Sequence, residues 1–437
     1  ILLFQCAIFP MADLALDYAV RSDPNDTVAA RYLALTREAL ADEVGSPSLS
    51  SGDDLDLAET FAAQLDFARA EAHCRRAVAA QADDEAAALK LAQIVGLRGD
   101  SAEQTRLLEA VLARHPNSLP AQGYLCNAYL SAARLDVAWP LYESRLKRPR
   151  GSSPRPPPPL PRWNGAPLEG RKLLIWREEG VGDEIRFSSC LPDAVRAAAG
   201  EVVYECDPRL VSLYARSFPG VTVRAEDRDN ARLDGIDCQV PAGSLPMLFR
   251  PGLDAFPADG SFLQADPARV AAWRRRLDAL PPGPKVGAGW RSLNAGWHKL
   301  LLHSRLEDWR PLAAVPGLQL VSLQSGLRAG EAEAGAAALG IPVHRFEELD
   351  VDDDMEAAAA LVSALDAVVA CQCWLLHLGG ALGVKVYSFN ARPNPYTMGR
   401  DVNPWAPGTK IFYKDAGADW TAPMTRIAAC LTERFAS

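Results

Sequence analysis

The chain has 437 residues, with 46 basic and 55 acidic side chains for a net charge of −9, and no long basic run interrupts it, which excludes nucleic acid as an expected partner. At roughly 100 to 200 residues per domain this length suggests two to four domains, and a hydrophobic fraction of 49% lets each bury a core. Nine cysteines lie scattered without paired metal-ligand spacing, Cys371 and Cys373 being the closest pair, so they read as reduced thiols of a cytoplasmic protein.

The first ten residues, ILLFQCAIFP, are apolar but lack a basic flank and fall far short of the ~20 residues that span a bilayer. Met11 is the expected natural start, and no integral membrane segment is expected elsewhere. From Leu55 to Lys147 Ala, Leu, Arg and Glu dominate, with apolar residues every three or four positions, the pattern of amphipathic helices. Ala77 and Val78 leading to Asp83 align with Ala110 and Val111 leading to Pro116 at an offset of 33 residues, close to the period of tetratricopeptide repeats. Ala15 to Pro24 reads as a further copy. Such helix pairs stack into a superhelix that holds a peptide or protein; a supporting helical bundle is the competing reading. Between Arg148 and Pro161 the run RPRGSSPRPPPPLP is a semi-rigid linker, since proline fixes φ and lacks an amide donor.

After the linker strands alternate with helices. Strands are predicted at 173–176, 201–206, 221–224 and 234–240, with helices at 184–199, 208–217 and 267–280. The break at Pro281 to Pro284 marks a domain boundary. Beyond it strands are predicted at 285–288, 318–323, 342–346, 367–370 and 384–389, and helices at 306–315, 331–339, 355–365 and 375–382. Two Rossmann-like domains in tandem form a cleft between facing carboxyl edges, where open α/β sheets bind ligands. The run KLLIWREEGVGDEIRF, from Lys172 to Phe187, places Asp183 at such an edge, as a helix cap or as a catalytic acid or base.

Several stretches carry a resemblance: AWPLYESRLKRP, PRWNGAPLEGRKLLIWREEGVGDEIRF and ECDPRLVSLYARSFPGV, then GWRS at Gly289 to Ser292, LEDWRPL from Leu306, LVSLQSG from Leu320, ALVSALDAVVA from Ala360 and HLGGALG from His377. Together they resemble bacterial proteins that fuse tetratricopeptide repeats to a heptosyltransferase-like glycosyltransferase domain of GT-B type. The resemblance implies that Gly182 and Asp183 match the family's Gly-Asp motif, with Asp183 as the base that deprotonates the acceptor. Glu179 and Glu184 flank it, as accessory or solvated charges. On the donor side Arg291, unless it forms a surface ion pair, and Ser292 are placed to hold a pyrophosphate, Gln324 to meet base or ribose, and the helix starting near Trp374 to present free amides to an anion. His298 and Lys299 are candidate leaving-group contacts. The family's Asp-Thr or Pro-Thr pair is replaced by Cys371, Gln372, Cys373 and Trp374, so a thiol and a ring stand where a hydroxyl is usual. His377 is a donor-site candidate or a packed helix histidine.

The expectation is therefore a multidomain chain: tetratricopeptide-like helical repeats over 11–147, a Pro-rich linker over 148–167, an acceptor-side Rossmann-like domain over 168–282, and a donor-side one over 283–437 with a returning C-terminal helix. The resemblance implies glycosyl transfer from a nucleotide sugar, with no cofactor and no metal, to a protein acceptor presented by the repeats, flagellin or another surface protein among the candidates. The rival expectation is an inactive, repeat-bearing adaptor that retains the fold.

Overall fold

The computed structural model describes residues 15–16, 19–20, 26–40, 50–147, 156–258, 260–292, 303–415 and 418–436. The chain divides into two compact units, Ile1–Ala128 and Tyr129–Ser437.

The first unit is helical, over Thr27–Leu40, Ser51–Ala63, Phe67–Ala80, Glu85–Arg98, Ser101–Arg114 and the start of Leu119–Ser131. Helices beginning at Ser51, Glu85 and Leu119 are spaced by 34 residues, as are those beginning at Phe67, Ser101 and Leu135. The caps repeat with them: the side chains of Ser50, Asp84 and Ser118 accept from the backbone N–H three residues on, at 3.2, 3.1 and 3.1 Å, satisfying an otherwise orphaned donor. The buried positions repeat too, with Leu57, Leu91 and Leu125 in one kind of helix and Cys74 with Leu108, and Ala77 with Val111, in the other. The offset of 33 is thus corrected to 34. It matched Ala77 with Ala110, which is exposed, whereas packing pairs Ala77 with Val111. The further copy expected over 15–24 lies largely outside the described residues, as do 148–155 of the linker.

The second unit holds two parallel sheets. In the first, β1 (Lys172–Trp176), β2 (Glu201–Cys206), β3 (Thr222–Ala225) and β4 (Cys238–Pro241) lie in the order β3-β2-β1-β4, with Leu173 opposite Val202 on one side and Cys238 on the other. In the second, β5 (Lys285–Gly289), β6 (Gln319–Ser322), β7 (Val343–His344), β8 (Ala367–Ala370), β9 (Val386–Asn390) and β10 (Thr409–Tyr413) lie in the order β10-β9-β8-β5-β6-β7. Counted from β5 this is the 3-2-1-4-5-6 order of doubly wound nucleotide-binding sheets. Leu173 to Ile175 and Val368 to Ala370 are fully buried because helices cover both faces of such sheets, which is why these strands are continuous apolar runs. The expected order of helical repeats followed by two α/β sheets is what the structure has.

Local departures have local causes. The single helix expected over 184–199 is two, Val181–Ser188 and Leu191–Ala198, because Pro192 has no amide to continue the first and sits instead in the opening turn of the second. Leu306–Ala314 is a 3-10 helix containing Pro311. The strand expected over 234–240 is confined to Cys238–Pro241. The segment 129–147, read with the repeats from sequence, clusters with the α/β unit: the Trp139 indole donates to the Arg250 carbonyl at 2.7 Å and lies edge-on to Trp405 at 6.4 Å.

Candidate active site

In each sheet the chain order reverses at one place, between β1 and β4 and between β5 and β8. Carboxyl ends of strands at such points leave a crevice, and all but one of the described candidates lie on the segments leaving β1, β5 and β8. The exception is Gln324, at the end of β6.

β1 runs into Arg177, Glu178 and Glu179. Arg177 is nearly buried and binds three carboxylates, Glu184 at 2.6 Å, Glu226 at 2.8 Å and Asp207 at 2.9 Å. Glu184 also accepts from the Asp207 backbone N–H at 3.0 Å. Full burial pushes its carboxyl up to about 7, against the pull of Arg177. Glu184 is therefore an internal strut, not a solvated flank of Asp183. Glu178 is buried as well, held by Arg145 at 2.5 Å and by the Gly243 N–H at 2.9 Å. This ion pair ties the segment after Leu135–Tyr142 to the edges of β1 and β4. Glu179 is exposed with φ +64°, so the turn is made by a non-glycine residue in the left-handed region.

Gly180 is the N-cap of Val181–Ser188 and no side chain caps this helix. Asp183 stands in its first turn, where a negative charge meets the positive end of the helix dipole, and its carboxylate accepts from Arg186 Nη2 at 2.7 Å. Arg186 is buried, with its guanidinium over the rings of Phe187 and Tyr396, both at 4.7 Å, and of Trp405 at 5.2 Å. The Asp183 carboxylate and burial together push the Tyr396 phenol up to about 12, so the phenol stays protonated beside the acid.

At the second edge Gln324 acts as a clamp. Its Oε1 accepts from the N–H groups of Trp290 at 2.9 Å and Arg291 at 3.0 Å, and its Nε2 donates to the carbonyls of Arg291 at 3.0 Å and Ser325 at 2.7 Å. All its hydrogen-bonding capacity goes to joining the segments after β5 and β6. The Arg291 guanidinium binds Glu331 at 2.6 Å and the carbonyls of Ser325 and Gly326 at 3.3 and 3.0 Å. Ser292 is half-buried beside it. His298 and Lys299 lie outside the described residues.

β8 leads through Cys371 and Gln372 to Cys373, the N-cap of Trp374–Ala381, whose backbone is extended and whose helix also has no side-chain cap. The Trp374 indole donates to Ser325 Oγ at 2.8 Å. His377 is buried, and burial with the nearby Arg186 charge pushes its imidazole down to about 3; it is a neutral packed histidine and brings no positive charge to an anion.

The two edges meet through their helices. A Cβ placed on Gly182 would lie 3.2 Å from His377 Cδ2, 3.4 Å from Trp374 Cα and 3.8 Å from Trp374 N. Gly182, Asp183, Trp374 and His377, separated by nearly two hundred residues of sequence, are thus brought to one place, with Arg186 and Tyr396 added. Arg291, Ser292 and Gln324 belong to the next strands along, linked through Ser325. Arg186 was detectable as the residue one helical turn after Asp183; nothing in the sequence pointed to Tyr396. Chemically the arrangement offers an oriented carboxylate, the positive ends of two helices, and aromatic walls. Among the described residues no group of three or more His, Cys, Asp or Glu is placed to hold a metal ion, and no helix is long and apolar enough to cross a membrane.

No family model matches the chain. Protein FlbA of Caulobacter vibrioides is 33% identical over 323 residues, which cover 70% of this chain and 54% of that protein, so the chain spans about half the length of this curated relative. Among solved structures, the ADP-heptose LPS heptosyltransferase II of E. coli aligns with a TM-score of 0.44 at 12% identity, over 60% of this chain and 99% of that one. A glycosyl transferase family 9 protein of Veillonella parvula aligns at 0.43 and 11%, over 57% and 88%. A mutant O-GlcNAc transferase of Thermobaculum terrenum aligns at 0.32 and 16%, over 99% and 93%.

Proposed function

We propose that the chain is a glycosyltransferase of GT-B type that takes a sugar from a nucleotide-sugar donor and passes it to a protein acceptor selected by tetratricopeptide-like repeats, flagellin or another surface protein being the acceptor class. The observation that carries this reading is the meeting of Asp183 with the start of Trp374–Ala381 across two switch points. Attack by an acceptor hydroxyl on an anomeric carbon needs a proton acceptor on one side and charge stabilisation for a departing diphosphate on the other. Asp183, fixed by Arg186, is the base. The Trp374 amide, at the positive end of its helix, receives the diphosphate, with Arg291 and Ser292 toward the outer phosphate and Gln324 holding the loop that frames the base. This division needs no metal, and the reaction belongs in the cytoplasm, where nucleotide sugars are made.

A second reading has its own support. Arg291 is already held by Glu331, and Gly182 packs on the helix start that the donor would approach; an inactive adaptor that keeps the fold would have these features. The two readings separate on donor consumption. In a panel of nucleotide sugars, release of nucleoside diphosphate by the wild-type chain, lowered on the order of 100-fold by Asp183→Asn with nucleotide binding retained, supports the enzyme. Binding with no release, by wild type and variant alike in the presence of an acceptor extract, supports the adaptor.

A further inference from the structure

Cys373 is the N-cap of Trp374–Ala381, and Cys371, two residues earlier, is a second free cysteine. We propose that Cys371 and Cys373 form a reversible dithiol/disulfide pair at the carboxyl end of β8, oxidised by a low-molecular-weight disulfide of the glutathione class. The inference does not depend on what the cleft binds.

Geometry supports the pair first. Cys371 continues the sheet, its N–H donating to the Gly289 carbonyl at 2.9 Å, and Cys373 is extended at φ −147°, ψ −178°. Residues two apart in extended chain share a face. Both side chains do pack on one core, Cys371 inside it and Cys373 against it. Two extended steps of about 3.3 Å each reach the upper end of the roughly 4.4 to 6.8 Å Cα separation that a disulfide bridges, and the bend at Gln372 and Cys373 shortens the span.

Reactivity divides between them. Cys373 is partly exposed and Cys371 fully buried. A hydrogen bond from Cys371, then backbone N–H groups of Leu375 and Leu376, hold the Cys373 thiol below its ordinary range despite burial, as expected of a sulfur at a helix start. Burial instead pushes the thiols of Cys74 and Cys190 up to about 12 and about 11, and raises those of Cys206 and Cys238. A thiol held below its ordinary range, on a partly exposed residue beside a second thiol, is the arrangement of redox-responsive cysteines.

The Cys373 thiolate attacks one sulfur of glutathione disulfide; that S–S bond breaks, and one glutathione leaves with the proton Cys373 had lost. Cys371 then gives up its proton and attacks the Cys373 sulfur, the mixed disulfide breaks, and the second glutathione leaves with that proton. Two protein thiols are oxidised by two electrons, and one glutathione disulfide is reduced to two glutathiones.

The test treats the folded full chain with oxidised glutathione, blocks remaining thiols with N-ethylmaleimide and follows the tryptic peptide Phe346–Lys385, which contains only these two cysteines. The wild-type peptide is expected two hydrogens lighter and restored by dithiothreitol. Cys371→Ser should stop at a glutathione adduct on Cys373, and Cys373→Ser should give neither product. Alkylation of both cysteines in the treated wild type, or a glutathione adduct that never resolves, overturns the proposal. Because the wild-type peptide decides the pairing, the proposal remains testable even if a variant does not fold.

Discussion

Two buried residues near the site titrate in opposite senses, and their difference is measurable. His377 has its folded imidazole pushed from the ordinary 6.5 to about 3, so between those values the unfolded chain binds a proton that the folded chain refuses, and stability falls as the pH drops. Glu184 has its folded carboxyl raised from 4.5 to about 7, so in that window the folded chain holds the extra proton and stability falls as the pH rises. Each window contributes a slope of up to roughly 1.4 kcal/mol per pH unit. In thermal unfolding between pH 4.5 and 6.5, His377→Gln should leave a Tm that decreases with rising pH, and Glu184→Gln a Tm that increases with it. Parallel profiles for the two variants would refute both assignments. Arg186 is the residue that joins these environments, since it holds Asp183, lowers His377 and lies on Tyr396 and Trp405.

At the scale of elements, the site depends on two helix starts that approach closely at Gly182. Replacing Gly182 by Ala in an ordinary helix gains roughly 1 kcal/mol of propensity. Here the new Cβ is crowded by His377 at 3.2 Å, with the Trp374 backbone in ordinary contact at 3.4 Å, and crowding of packed atoms costs roughly 1 to 3 kcal/mol. Gly182→Ala is therefore expected to lower the urea midpoint, and a raised midpoint would mean that the helices do not meet as described. The strands themselves were legible in the sequence because buried parallel strands are unbroken apolar runs, as in Leu173 to Trp176 and Ala367 to Ala370. β10 was not, because Thr409–Tyr413 alternates exposed Lys410 with buried neighbours after a Pro-rich and Gly-rich loop. Asp183 could be located from its strand, turn and helix. Its partners could not: Tyr396 comes from a loop more than two hundred residues away, and no local pattern records such a meeting. An ion pair was one of the two readings of Arg291, but its partner Glu331 was hidden, because it depends on where the turn after β6 places the next helix.

At the scale of the whole α/β unit, ion pairs and hydrogen bonds join residues on either side of the sheets. Arg209 donates to the Asp352 carbonyl at 2.6 Å and Arg216 pairs with Glu356. In the acidic run from Asp350 to Asp354, Asp354 caps the following helix by accepting from the Ala357 N–H at 2.8 Å, and the Asp352 carbonyl receives the Arg209 contact. The proposed function puts the departing diphosphate at the helix start at Trp374. The measurement that tests this most directly is isothermal titration of the full chain with a series of nucleoside diphosphates, comparing wild type with Trp374→Pro and Trp374→Phe. Proline at the first helical position keeps the helix and removes one amide, while phenylalanine removes only the indole donor. Saturable binding of one nucleotide, weakened about tenfold or more by Trp374→Pro (about 1.4 kcal/mol) and little changed by Trp374→Phe, is the predicted result. Binding that is equal in all three proteins, or absent from well-folded wild type, would contradict it.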